Sequence, residues 1–395
     1  MKKLSTYIDE LVLDEKDDDK MVVEHRSNNP KRDYLFVNRK QGKHIPCRPS
    51  EAIEMFNRLA KKVNGCVSGY KNVLVIGFAE TATAISNFVC NNISNCVYYL
   101  QTTREQVENC NVLVEFEEKH SHAVEQKIYS SKDISKMNID CVVFVEDEIS
   151  TGKTILNCIE KLQKTLGDNV KYCVASICNW QNEENRKVFD ERNIGRIYLI
   201  GGKLKDEHMK MNINNEIDLD NTEWKPSGDV YNIQKVEISS KHYKDERMGY
   251  IPYNTKGIVK EISDSIVNIL ETSYKEPSNT LVAVIGTEEF MYIPMLVAGQ
   301  VENWGYRAYN HANSRSSIDV IKGSTIGIAN KTKLPSAYDK DRSTYIYNLG
   351  KYDKVFIVTD AEQSDMLDFS TVLIDRLVEF GMSSEDIYFI IINKN

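Results

Sequence analysis

From residue 48 onward the chain alternates between short apolar runs and longer amphipathic stretches. Residues 72–77 read NVLVIG, 97–100 VYYL and 141–145 CVVFV, and 172–178 and 196–201 are two further runs of the same kind. Runs this short, rich in β-branched residues and closed by Gly or polar residues, predict buried strands. Between them apolar positions recur at helical spacing. Residues 48–63 open on Pro49-Ser50-Glu51, a helix start signal. Ile85, Phe88 and Val89 share one helical face, as do Ile155, Leu156, Ile159, Leu162 and Leu166. Strands alternating with helices predict an α/β fold with a parallel sheet.

The pattern lapses and then restarts. Residues 203–245 are rich in Lys, Asp, Glu and Asn and lack apolar periodicity. Strand signals return at 281–286 (LVAVIG), 355–360 (VFIVTD) and 387–392 (IYFIII), with Phe290, Ile293, Leu296, Val297 and Val301 as a helical stripe. Four regions are expected: a polar N-terminal extension (1–45) with a short helix at its start, an α/β domain (46–202), a connecting region (203–245) and a second α/β domain (246–395). The halves look related. VIGFAETATAI and VIGTEEFMYIP share a strand–Gly–Glu–helix layout. Arg104 follows Gly77 by 27 residues and Asp147 follows Arg104 by 43, while Arg315 follows Gly286 by 29 and Asp360 follows Arg315 by 45. Such spacing suggests a repeat; the alternative is the loose likeness of any two α/β units.

Composition narrows the picture. A 395-residue chain, 41% hydrophobic and 27% charged, is an ordinary two-domain globular sequence. No apolar run approaches the roughly 20 residues that span a bilayer, and the acidic start is no secretory signal, so no membrane partner and a cytoplasmic location are expected. A net charge of −8 argues against a general nucleic-acid binder. The nine cysteines form no CxxC pair and read as reduced, mostly buried thiols.

The strongest chemical signal is VVFVEDEISTGKT, residues 142–154. An apolar strand delivers Glu146 and Asp147 at its carboxyl end, where open α/β sheets bind ligands. Ser150, Thr151, Gly152, Lys153 and Thr154 then lead into a helix whose N-terminal amides attract anions. Two acceptors for a sugar diol beside an anion cup suit a phosphorylated ribose. A triphosphate P-loop is excluded, since GxxxxGK[ST] needs Gly where Asp147 stands. A charged turn with no ligand is the bland alternative. After the first strand, Ala79, Glu80 and Thr81 begin another helix; Glu80 there faces the helix dipole or binds a cation. The stretch from 101 to 126 is polar and holds Arg104, Lys119, His120 and His122, candidate contacts for an anionic group or for protonating a leaving group. His120-Ser121-His122 could also be two legs of a metal site, but no third ligand stands at a diagnostic spacing.

These pieces resemble the PRPP (5-phosphoribosyl-1-pyrophosphate) signature of type I phosphoribosyltransferases. The resemblance implies that Glu146 and Asp147 bind the ribose hydroxyls and 150–154 the 5′-phosphate. It further implies that the amides of Ala79, Glu80 and Thr81 face pyrophosphate, and that 101–126 is a catalytic lid carrying Arg104, Lys119, His120 and His122. It implies Mg²⁺ held mainly by PRPP, with Glu146 and Asp147 beside it. Purine-transferring members commonly have Asp where this chain has Ser150, which puts a purine acceptor in doubt. GFAETATAI, TTRE, EEKHSHA, EDEISTGKT, GTEEFMYIP and NSRSS are similar to the phosphoribosyltransferase plus TRSP-domain proteins of tellurite-resistance (ter) stress gene clusters. Thr-Arg-Ser-Pro stands here as Ser314-Arg315-Ser316-Ser317. That likeness implies a glycosyltransferase that uses PRPP to ribosylate a base-like small-molecule acceptor, in making a nucleoside-like metabolite, and a homodimer. A PRPP-binding regulator and a nucleotide- or nucleoside-cleaving enzyme are the alternatives. The second half lacks a hydroxyl–Gly cradle, so Glu288, Glu289, Arg315 and Asp360 are expected to form a second polar site or to serve packing alone.

Overall fold

The computed structural model describes residues 4–13, 21–26, 32–116, 126–206, 210–211, 217–218, 226–252, 255–273, 276–322, 327–362 and 366–394. The chain opens with β1 (Ile8–Val12) and the strands β2 (Met21–His25) and β3 (Tyr34–Asn38). Then follow α1 (Pro49–Val67), β4 (Val73–Gly77), α2 (Thr83–Asn92), β5 (Cys96–Thr103), β6 (Asn111–Phe116) and β7 (Gln126–Ser130). The first unit closes with β8 (Cys141–Ile149), α3 (Lys153–Leu166), β9 (Lys171–Asn179), α4 (Glu183–Glu191) and β10 (Gly195–Leu204). The second unit holds β11 (Gln234–Ser239), α5 (Lys256–Ser273), β12 (Leu281–Gly286), α6 (Tyr292–Asn303) and β13 (Arg307–Ala312). It ends with β14 (Lys331–Pro335), β15 (Ser343–Tyr347), β16 (Lys354–Thr359), α7 (Met366–Glu379) and β17 (Ile387–Asn393).

The first sheet runs β1-β10-β9-β8-β4-β5-β7-β6 and the second β11-β17-β16-β12-β13. The five central strands of the first sheet are parallel, and so is the whole second sheet. Both faces of the first sheet are covered, and strand residues alternate between them. Val73, Val75, Val143 and Val145 pack toward α1 and α2, whereas Leu74, Ile76, Val142 and Phe144 pack toward α3. Two-sided burial explains why these strands read as unbroken apolar runs.

The halves are built alike. The order α1-β4-α2-β5, hairpin β6–β7, β8-α3-β9 is repeated as α5-β12-α6-β13, hairpin β14–β15, β16-α7-β17. The strand order is also the same, with β8 beside β4 and β16 beside β12. This supports the repeat over the looser alternative. A single core joins the halves, since α1, α2, α5 and α6 contribute Phe56, Phe88, Ile262 and Val297 to one continuous cluster.

Residues 1–45 are more than a polar extension. β1 adds an antiparallel edge strand to the first sheet, and β2 pairs with β3. That hairpin buries Val22, Leu35 and Val37 against Ile318, Val320, Ile328 and Tyr347 of the second half. Its apolar runs, MVV and YLFV, are only three and four residues long and flanked by charges, so they did not stand out as strands. Likewise β11 lies in the expected connecting region, and β6 in the stretch read as a lid, with β7 starting where that stretch ends.

Candidate functional site

From β4 the chain moves outward to β5 on one side, and from β8 to β9 and β10 on the other. A crevice must therefore open between the carboxyl ends of β4 and β8, the switch point of an open α/β sheet. β4 ends at Gly77 opposite Val145, while β8 continues through Glu146, Asp147 and Glu148 paired with β9. The three acids thus lie beyond the end of the neighbouring β4, at the mouth of this crevice.

Glu146 and Asp147 are half-buried, and neither has an ion-pair partner among the described residues. Burial, aided by Asp147, pushes the Glu146 carboxyl well up. Burial and the Glu148 charge raise Asp147 to about 6. Such uncompensated acids suit a ligand that brings hydroxyls or a divalent cation. Glu148 differs: Arg32 Nη1 lies 2.8 Å from its Oε1, and the Arg32 guanidinium sits over the rings of Tyr34 and Phe36.

Gly152 opens α3 in the left-handed conformation, with φ +74°. A Cβ there would approach Phe189 Cζ to 2.4 Å, so both backbone and space demand glycine. The first helical bond runs from Leu156 N to Gly152 O. The amides before it have no intrahelical partner, and Thr151 Oγ1 accepts from Lys153 N at 3.3 Å. The cup is thus a turn of backbone at a helix N-terminus, with Ser150, Thr151 and Thr154 at its rim.

The other wall is the loop after β4. Phe78 N donates to Val145 O at 3.1 Å, which ties the loop to the acidic strand. Gly77 lets α2 approach: a Cβ would meet Ser86 Oγ at 2.0 Å. Ala79 N donates to Thr102 Oγ1 at 2.8 Å, so of the three expected amides only those of Glu80 and Thr81 stay open to a ligand. The Ala79–Glu80 peptide is cis. Glu80 turns its carboxylate inward onto Lys43 and Arg315, away from any role as an exposed metal ligand. Lys43 and Arg315 hold it down to about 2 despite burial.

Glu288, Glu289 and Arg315 do come together, but as a closed ionic network. Arg315 lies 2.8 Å from Glu288, 3.1 Å from Glu289, 3.3 Å from Glu80 and 2.5 Å from Glu105. Arg342 adds contacts to Glu105 at 2.7 Å and Glu288 at 3.0 Å. Asp360 sits beside this network: it takes Arg247 at 2.5 Å, Tyr338 at 2.6 Å and Tyr243 at 2.8 Å. Arg247 above all, then Lys394, keeps its carboxyl far below the usual range despite burial. Glu288, Glu289 and Asp360 are each at most 1% exposed. The expected second polar site therefore has its charges matched internally.

Lys119, His120 and His122 fall outside the described residues. Arg104 is described, and its guanidinium makes no ion pair among the described residues. Sequence reasoning missed Arg32, Lys43, Glu105, Arg247 and Arg342, because each gains its meaning from a partner more than 30 residues away in the chain. Among the described residues no three His, Cys, Asp or Glu side chains gather into a metal cage. No described helix is long and apolar enough to cross a membrane. The nine cysteines are all free, with Cys66 exposed and Cys47, Cys90, Cys141, Cys158 and Cys178 buried.

Residues 23–196 match the family model for phosphoribosyl transferases, and residues 244–377 that for the TRSP domain found C-terminal to it. No curated protein matches the chain. Among solved structures, the chain is similar to the adenine phosphoribosyl transferase from Trypanosoma brucei, solved with AMP, pyrophosphate and ribose-5-phosphate. Identity is 14%, with 38% of this chain and 66% of that one covered and a TM-score of 0.30. The adenine phosphoribosyltransferase from Rhodothermus marinus gives 9% identity, 46% and 94% coverage and a TM-score of 0.32. The orotate phosphoribosyltransferase from Mycobacterium tuberculosis gives 13%, 43%, 78% and 0.28. With its two regions matched in this order, the chain is a phosphoribosyltransferase, a pentosyltransferase of α/β fold, that carries a C-terminal TRSP domain.

Proposed function

We propose that the crevice between β4 and β8 binds PRPP with Mg²⁺ and passes its phosphoribosyl group to a base-like small molecule, releasing pyrophosphate. One observation carries this: two half-buried, uncompensated carboxylates stand within eight residues of an amide cup headed by a left-handed glycine. The cup suits the 5-phosphate, and Glu146 and Asp147 suit the ribose hydroxyls. The open amides of Glu80 and Thr81, with the Arg104 guanidinium, suit pyrophosphate.

In the reaction the acceptor nitrogen forms a bond to ribose C1 as the bond from C1 to the pyrophosphate oxygen breaks. Positive charge builds on the ring and negative charge on the leaving group. Glu146 and Asp147 would steady the ring through its hydroxyls. Lys119, His120 and His122 are the proposed lid groups for the leaving group, and His120→Ala is expected to lower turnover more than PRPP affinity. The two acids fit a magnesium ion as partial ligands. When bound, the ion would offset the charge of the pyrophosphate. Ser150 offers no carboxylate to a purine, so the acceptor class stays wider than purines. The product is a nucleotide-like metabolite, for which the sequence likeness supplies a stress or tellurite-resistance setting.

Calorimetric titration with PRPP·Mg²⁺ and assay of pyrophosphate release across a panel of bases test this. PRPP binding with acceptor-dependent release is expected. Binding without release for any acceptor would favour a regulator, and turnover only of supplied nucleotides would favour the cleaving direction.

A further inference from the structure

The two halves meet in a reciprocal way. Tyr99 of β5 exchanges backbone hydrogen bonds with Tyr250, just before α5, at 2.8 and 3.1 Å. The residue aligned with Tyr99 in β13 is Asn310, which makes the same exchange with Cys47, just before α1, at 3.1 and 2.8 Å. The loops after the first strands repeat the exchange. Glu289 accepts from the Arg104 amide at 3.3 Å, and Glu80 from the Arg315 amide at 3.3 Å. Glu80 and Glu289 hold equivalent places after β4 and β12, and Arg104 and Arg315 after β5 and β13. Each domain thus presents the same patch to the other, the signature of an isologous contact between two like subunits.

The symmetry breaks at the side chains. The Arg104 guanidinium makes no ion pair among the described residues. The Arg315 guanidinium reaches across to Glu80 and Glu105 of the first domain while holding Glu288 and Glu289 of its own. Lys43 reinforces the clamp by pairing with Glu80 and donating to Glu288 O at 2.8 Å. Four carboxylates around one planar cation fix Glu80 from both charge and shape. Gln41 Nε2 steadies the next carbonyl, Thr81 O, at 2.8 Å.

We infer that the C-terminal domain is a degenerate second copy of the catalytic domain, serving as a built-in partner subunit whose Arg315 positions the loop of Ala79, Glu80 and Thr81 for pyrophosphate. This rests on the proposed PRPP site and assigns the C-terminal domain a part in it. Arg315 is a positioning residue: it acts through Glu80 and touches no reacting atom. The degenerate copy binds no PRPP itself, because Arg247 already occupies Asp360, the counterpart of Asp147.

The test uses the full chain, with inorganic pyrophosphate and ribose 5-phosphate, each with Mg²⁺, titrated separately. Arg315→Gln should weaken pyrophosphate by at least about tenfold, the scale of one lost charge-assisted contact. Ribose 5-phosphate, held by the 150–154 cup, should stay within about twofold. Asp360→Asn, which disturbs the network on the far side, should lower Tm and leave both affinities within about twofold. If Arg315→Gln does not fold, Arg315→Lys carries the same comparison, since it keeps the charge and loses the fork. Equal weakening of both ligands, or none, overturns the positioning role while the PRPP reading stands. Binding of neither ligand by the unaltered protein overturns both.

Discussion

The first and second domains share an element order and a strand order, yet they treat the same position oppositely. At the end of the third strand of each repeat stands an aspartate. Asp147 makes no ion pair among the described residues, and burial with the neighbouring Glu148 charge pushes it to about 6. Asp360 is wrapped by Arg247, Tyr338 and Tyr243 and is held far below the usual range. After Asp147 comes a hydroxyl- and glycine-bearing cup. After Asp360 comes Ala361-Glu362, with no such cup in the sequence. A carboxylate at a switch point is thus available to a ligand only while the fold withholds its own cations. Once a buried arginine arrives, the same group becomes structural.

The comparison is broken most severely at Arg315. Arg315→Ala leaves Glu80, Glu105, Glu288 and Glu289 without their shared cation, and removing one partner of a buried ionic group costs about 3–5 kcal/mol. Urea unfolding should show this loss. A change under about 1 kcal/mol would mean the network behaves like a surface one.

Gly152→Ala comes next. It forces a side chain into positive φ against Phe189 and should cost about 1–3 kcal/mol of stability together with PRPP affinity. Thermal unfolding and PRPP titration check it. Unchanged PRPP affinity would remove the cup from the site.

Asp147→Asn should weaken PRPP binding by roughly 1–3 kcal/mol, a lost charge-assisted hydrogen bond. The same substitution should raise Tm at neutral pH. The folded-state pKa of Asp147 lies above its ordinary 3.8, so between these values the folded protein binds more protons than the unfolded one. Stability from this group therefore falls as pH rises through that window. Asp360 has the opposite sign: its contribution is present above the ordinary carboxylate value and is lost as pH falls toward its depressed one.

The smallest effect is the pH dependence of binding. PRPP affinity should decline as pH falls through about 6, where Asp147 takes up a proton, and Asp147→Asn should flatten that decline near pH 6. A profile flat in both proteins would separate Asp147 from the ligand.

Much of this was legible before folding. The strands read as apolar runs because both faces of each sheet are buried, and period-2 alternation then assigns Val143 and Phe144 to opposite cores. The cup was legible because acids, hydroxyls and glycine lie within nine residues of one another. The hairpin of β2 and β3 was not, since its buried face rests on Ile318 and Tyr347, which no local window contains. Glu80 was puzzling beside an anion until Lys43 and Arg315 came to it from either side.

Taken alone, the sequence determined the alternation of strands and helices, the carboxylate pair with its glycine-headed turn, and the echo of one half in the other. Those features are local, written by periodicity and by side chains within a few residues of each other. Only the tertiary structure decided that the echoing halves face each other, that Asp360 is neutralised while Asp147 is not, and that Arg315 grips the first domain. Ion pairing depends on distance in space, and folding brings together charges that the chain keeps more than 100 residues apart.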